Sequence, residues 1–311
     1  MCCAEIYEEF RSTWNSMLVI EAISELVTYC EEHNYIDEDY CFLLLDKGIN
    51  FQALGNFSKA YDIYNKALEV YNSLDQKNYY EDFSPEHLIL SRLASVASRL
   101  QKYDEAYSYF DNAILALKNH SDYLFQSYKD QIEFERAIMM TDVGENDKYA
   151  VEIFKNLLEC ETAKDPLWKA AVYYNLGNAL DSYDDDAAYE AYNNALTLYI
   201  ENQGEGIYYA KTLNRLAKIL HERGEIVTAV KYFELAIEIF RHFSEEDNYS
   251  LVLTLTNAAH CAYNSGNLGR AIAWAEESRA LQQTTNVGYA DLFTWSLLLD
   301  AYAKVNNWES Y

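Results

Sequence analysis

Proline, glycine and basic residues are all scarce in this chain. Its 311 residues include 2 prolines and 10 glycines. A β-rich protein of this length spends more of both on its turns, so their scarcity favours long helices. Bases number 24 against 50 acids, for a formal charge of −26. Binding to phosphates needs clustered Lys and Arg, so the charge argues against nucleic acid as a partner. It disfavours an anionic membrane surface for the same reason. No apolar run approaches membrane-spanning length, and the start MCCAEIYEEF lacks the positive end and apolar core of a signal peptide. A cytoplasmic protein, with no membrane partner, is expected. The sequons at Asn56, Asn119 and Asn248 are then accidental.

Clustered metal-ligand and nucleophile patterns are lacking too. The cysteines Cys2, Cys3, Cys30, Cys41, Cys160 and Cys261 are scattered, with no C-x-x-C and no histidine cluster beside them. Free thiols are expected, with no metal, no cofactor and no disulfide framework. The Cys2–Cys3 pair has no basic or apolar neighbours to support a lipid anchor. His221-Glu222-Arg223-Gly224 lacks the second histidine of a zinc-protease helix, and G-x-S-x-G, phosphate-loop and dinucleotide patterns do not occur. Asp184-Asp185-Asp186 and Glu245-Glu246-Asp247 lack calcium-loop spacing and read as solvated turns. No catalytic residue is assigned, and a non-enzymatic chain is expected.

What the chain does have is apolar residues, half of the total, and 29 tyrosines. Tyrosine has an apolar body and a polar tip, which suits half-buried positions between helices. These residues recur in a pattern. Small-x-x-x-aromatic-x-x-small stands as Ala60, Tyr64, Ala67 and as Ala106, Phe110, Ala113. It returns as Ala150, Phe154, Leu157, then Ala188, Tyr192, Ala195, then Ala229, Phe233, Ala236. A sixth copy, Ala271, Ala275, Ser278, has lost its aromatic residue. The leading alanines are 46, 44, 38, 41 and 42 residues apart. Before each copy lies another helical period, seen first in Leu44, Gly48 and Phe51, with Gly55 and Asn56 as the turn. Two antiparallel helices approach closely only where a small residue faces the partner, and the aromatic fills the space toward the next hairpin. Each hairpin leaves an apolar face for its neighbour to cover. Ser84-Pro85-Glu86 and Asp165-Pro166 place a cap before a proline that opens a first helix.

The pattern resembles the tetratricopeptide repeat family. The family's large-x-x-Leu-Gly-x-x-large signature stands as Tyr173, Leu176, Gly177, Leu180, with softer copies at Leu90, Leu93, Ala94, Ala97 and at Leu213, Leu216, Ala217, Leu220. The resemblance covers roughly residues 40–305. Units near 42 residues are longer than the family's usual repeat and look more like those of kinesin light chains and bacterial peptide-sensing regulators. The extra residues should fall in longer helices or in loops such as residues 74–84 and 242–248. The resemblance implies an all-α fold, a right-handed superhelical stack of antiparallel hairpins. Residues 1–38 are expected to be a helical cap or degenerate repeat of two helices, with Trp14, Leu18, Ile23 and Leu26 apolar. Residues 39–288 are expected to form six hairpins. Residues 289–311 are expected to supply the first helix of a seventh, or a cap, in a chain that reads as a fragment because Trp295, Leu298 and Leu299 lack cover.

In such stacks the first helices line the concave surface, and one stripe on each faces a ligand. The early repeats offer Phe42, Leu45, Ile49 and Gln52, then Leu88, Ser91, Ser95 and Ser98, then Ile132, Glu135, Met139 and Asp142. The fourth offers Ala171, Tyr174, Asn178 and Asp181, and the fifth Lys211, Asn214, Lys218 and His221. The sixth offers Val252, Thr256, His260 and Tyr263, and the seventh Trp295, Leu298 and Tyr302. From these, Tyr174, Asn178, Lys211, Asn214, Lys218, His221, Thr256, His260 and Tyr263 are the candidate peptide-binding residues. Amides both donate to and accept from a main chain, and lysines receive carboxylates. The resemblance matches Asn178 and Asn214 to positions that hold a peptide's backbone. The competing reading of Lys211 and Lys218 is solvated residues paired with Asp181 or a glutamate. A protein- or peptide-binding scaffold is the leading expectation. The alternatives are a peptide-responsive regulator that inhibits another protein, and the repeat portion of a larger protein with its effector domain elsewhere.

Overall fold

A computed structural model describes residues 16–74, 85–117, 122–144, 147–204, 206–243, 248–285 and 291–305. Trp14, Ser84, the Cys2–Cys3 pair, Asn119, the triplet Glu245-Glu246-Asp247 and most of both long loops (75–84 and 244–247) lie outside the described residues, as does 306–311. The described residues form fourteen α-helices: α1 Ser16–His33, α2 Glu38–Ala53, α3 Phe57–Ser73, α4 Pro85–Arg99, α5 Tyr103–Ala116, α6 Asp122–Val143, α7 Asp147–Leu158, α8 Pro166–Leu180, α9 Asp185–Glu201, α10 Ile207–Glu222, α11 Ile226–His242, α12 Asn248–Asn264, α13 Leu268–Thr285 and α14 Asp291–Lys304. A 3-10 turn, Glu161–Lys164, precedes α8. None of these helices is long and apolar enough to cross a membrane. The chain divides into two compact units at Ile153 and Phe154, inside α7.

In the first unit α1 packs on α2, α2 pairs with α3, and α4 pairs with α5 and touches α6. Val19, Ile23 and Val27 of α1 join a core with Tyr40, Leu44, Tyr64 and Leu93. Tyr40 ties α1 to α2 by donating to Glu31 at 2.7 Å, and Lys66 of α3 reaches the same carboxylate at 2.5 Å. In the second unit α8 pairs with α9, α10 with α11 and α12 with α13, and α14 packs on α13.

The repeating alanines and aromatics are the buried seams of these pairs. Ala60, Tyr64, Ala67, Ala106, Phe110, Ala113, Ala188, Tyr192, Ala195, Ala229, Phe233 and Ala236 are all fully buried. The sixth copy keeps its small residues buried without an aromatic. There Leu297, Leu298 and Tyr302 of α14 join Ala271 and Ala275 in one apolar cluster. Ser278, also fully buried, bonds Thr256 of α12 at 2.9 Å, and Thr256 in turn lies 3.4 Å from Thr294 of α14.

Four hairpins share one turn. Gly55, Gly224 and Gly266 have φ of 71°, 81° and 80°, and Gln101 holds the same place at 61°. The next amide then closes back on the first helix: Asn56 to Phe51 at 2.9 Å, Lys102 to Ala97 at 2.9 Å, Glu225 to Leu220 at 2.8 Å and Asn267 to Ala262 at 2.9 Å. This is the left-handed helix stop that glycine adopts without steric cost. The α8–α9 turn differs. Asp184 caps α9 by accepting from the Ala187 amide at 3.0 Å, and Asp185 and Asp186 occupy its first turn, where the helix dipole favours acids. Pro166 opens α8 with Asp165 as its cap, which accepts from Leu167 at 2.9 Å.

Two other glycines answer to packing. A Cβ on Gly48 would stand 2.2 Å from the Tyr64 ring, and one on Gly177 would stand 2.5 Å from the Tyr192 ring. Each of these tyrosines reaches across to an amide of its first helix. Tyr64 donates to Gln52 at 3.1 Å and Tyr192 to Asn178 at 2.9 Å. Where the aromatic is Phe110 or Phe233, the small residue twelve positions before its hairpin's leading alanine is Ala94 or Ala217. Glycine accompanies tyrosine and alanine accompanies phenylalanine.

Candidate functional site

The candidate residues all belong to the second unit, on α8, α10 and α12. Those three first helices stand side by side, each backed by its own second helix. The small residues Gly177, Ala217 and Ala259 mark equivalent positions on them. One residue after that mark stand Asn178, Lys218 and His260, and four after it stand Asp181, His221 and Tyr263. All six are part-exposed. Three before it stand Tyr174, Asn214 and Thr256, and all three are buried, at 8%, 7% and 7%. The open position in that row is one residue later, at Arg215 and Asn257. Asn175, their counterpart on α8, is buried and donates to its own helix at Ala171.

The helix period alone does not single out Arg215 and Asn257. At about 100° per residue, Arg215 and Asn214 lie about 40° and about 60° from Lys211, on opposite sides of the stripe. Which of the two stays open depends on where the neighbouring hairpin rests. A count of cations along α10 was the available signal, since Lys211, Arg215, Lys218 and His221 follow one another at intervals of three or four.

Asp181 is the electrostatic pivot. Lys218 Nζ lies 3.5 Å and Arg215 Nη1 3.6 Å from the same carboxylate oxygen. Lys218 therefore has the partner that the competing reading gave it. One carboxylate shared between two cations leaves positive charge in excess. Burial acts to lower the pKa of Arg215, but Tyr192, Tyr174 and Asp181 outweigh it and hold it above the ordinary value. Lys211 sits 5.6 Å above the Tyr208 ring, and Lys304 of α14 sits 4.2 Å above the Tyr263 ring. Such pairs orient a cation and leave it charged.

Amides line the same face. Asn178 accepts from Tyr192, and its side-chain NH2 makes no hydrogen bond among the described residues. Asn257 donates to buried Asn214 at 3.5 Å, so Asn214 braces an amide that is itself open. Asn264 lies 3.0 Å from His221 Nε2. Burial, then the neighbouring His221, holds the His260 imidazole below the usual histidine range. Thr256 is bonded within the core to Val252, Ser278 and Thr294. No group of His, Cys, Asp and Glu among the described residues is arranged to hold a metal ion. On α14, Leu298 and Tyr302 are buried, whereas Trp295 and Leu299 remain 43% exposed, with Arg279 4.7 Å above the Trp295 ring.

Comparison with known proteins bears on the fold. Residues 208–284 match the tetratricopeptide repeat model. The Cut9–Hcn1 hetero-tetramer of the APC/C aligns with TM-score 0.63 at 15% identity, over 91% of this chain and 48% of that one. This chain thus spans about half the length of that relative. A tetratricopeptide repeat protein from Parabacteroides merdae aligns at 0.59 with 14% identity, over 96% and 97% of the two chains. A Rap protein complexed with competence and sporulation factor aligns at 0.56 with 17% identity, over 86% and 76%. Comparison with the curated proteins found no match.

Proposed function

We propose that this all-α chain of tetratricopeptide repeats is a binding scaffold whose second unit holds an extended, carboxylate-bearing peptide segment along α8, α10 and α12. The observation that carries the reading is the composition of that one face. Lys211, Arg215 and Lys218 gather there with Asn178, Asn257 and Asn264, in a chain of net charge −26. Carboxylates of the peptide pair with the cations, and its main chain exchanges hydrogen bonds with the amides. Asn214, a candidate from the sequence, supports Asn257 from within; Tyr174 and Thr256 also stand behind the surface. Likeness to a Rap protein crystallised with competence and sporulation factor supports a fold suited to binding a partner.

Three neighbouring first helices about 10 Å apart span about 20 Å, which an extended chain crosses in about six residues. Fluorescence anisotropy with acidic peptides of about eight residues is therefore the test. Saturable binding that weakens with salt is expected, because part of it is charge pairing. Equal binding of acidic and basic peptides of matched length overturns the reading.

A further inference from the structure

The first unit holds a second site that the peptide face neither uses nor explains. His87, Ser91 and Arg92 of α4 and Tyr128, Gln131 and Glu135 of α6 line a narrow cleft of about 20 Å³. That is room for one group the size of a water molecule. At its wall Glu135 Oε2 is buried and accepts no hydrogen bond among the described residues. A buried carboxylate oxygen without a donor is costly, so such atoms normally have partners. Burial pushes the Glu135 carboxyl up and Arg92 pulls it down, so the guanidinium is close enough to act on the charge without donating to Oε2.

We propose that this cleft binds a primary ammonium group, the tip of a lysine side chain on a protein partner, with Glu135 as its principal acceptor. Size and hydrogen bonding select that group. An ammonium is about as large as a water, whereas a guanidinium or a carboxylate exceeds the space. An anion would also face Glu135. The Ser91 hydroxyl spends its proton on the His87 carbonyl at 2.8 Å, which leaves its oxygen to accept. The Tyr128 ring, 4.5 Å from the His87 ring, adds an aromatic wall that favours a cation. This site lies wholly in the first unit and does not depend on the peptide reading of the second.

Saturation-transfer NMR on the full chain tests it with three probes: Nα-acetyl-lysine amide, its Nε-acetylated form, and methylammonium. The lysine amide should bind saturably and the Nε-acetylated form should not. Methylammonium should bind more weakly than the lysine amide if the side-chain stem contributes. Glu135→Gln should bind the lysine amide about tenfold more weakly, the loss of one charge-assisted bond. It should melt no lower than the parent, because it replaces a buried carboxyl whose Oε2 has no donor. Absence of lysine-amide binding, equal binding of the Nε-acetylated form, or tighter binding of methylammonium overturns the proposal. So does unchanged affinity in Glu135→Gln, or a variant that melts far lower or does not fold, since Glu135 would then have its donor within the protein.

Discussion

Gly177→Ala should destabilise the second unit, and Tyr192→Phe should rescue it. The added methyl would meet three ring atoms of Tyr192 at 2.5, 2.7 and 2.9 Å. The ring is fully buried, and its hydroxyl is tied to Asn178, so it has little freedom to slide. Overpacking of this kind costs about 1–3 kcal/mol, and replacing a helical glycine returns about 1 kcal/mol. With the clash this severe, the net loss should be about 2 kcal/mol. Tyr192→Phe alone removes one part-exposed hydrogen bond, for about 1 kcal/mol. Independent effects would bring the double variant to about 3 kcal/mol. The account predicts instead that freeing the ring from Asn178 lets it shift, giving the alanine–phenylalanine pairing already present at Ala217 and Phe233. The double variant should then lie near Tyr192→Phe, a coupling of about 2 kcal/mol. Urea unfolding of all four chains, followed by circular dichroism, measures it. Strictly additive losses would refute the link between glycine and tyrosine.

Two further outcomes follow from the fold. Gln101→Gly should stabilise the first unit by about 1 kcal/mol in the same assay, because Gln101 alone occupies the shared turn at φ 61° with a Cβ; a loss of stability would show that its side chain has another role. Cys160, part-exposed, should react with iodoacetamide in the folded chain well before buried Cys41 and Cys261, as read by mass spectrometry. Burial first, then Glu38 and Asp37, pushes the Cys41 thiol up to about 12. Its thiolate therefore stays scarce from pH 7 to 9, and raising pH across that range should not expose it to alkylation.

The seams of the stack were legible because burial is periodic. Ala60, Tyr64 and Ala67 recur in register through Ala229, Phe233 and Ala236, and each is covered as its spacing implies. Proline at a first helical turn was legible for a local reason, its fixed φ and missing donor. The open face was harder to read. Asn214 and Arg215 are adjacent, and the helix period alone does not say which one the next hairpin covers. Replacement of the sixth aromatic by Leu297 and Leu298 was equally hidden, because those residues arrive from a helix some twenty residues later. The Glu135 cleft was hidden too. Glu135 appears in the sequence as one more acid on a stripe, and only tertiary packing buries one of its oxygens.

The central claim, that the α8–α10–α12 face is the binding surface, is tested most directly by comparing three variants against one bound acidic peptide. Lys218→Met and Asn257→Ala alter that face, while Glu190→Ala alters an exposed position on second helix α9. Anisotropy titration should give affinities about three- to tenfold weaker for the first two, in keeping with the loss of one charged or amide hydrogen bond. Glu190→Ala should match the parent. If all three bind alike, or if Glu190→Ala alone weakens binding, the peptide lies elsewhere and the account is contradicted.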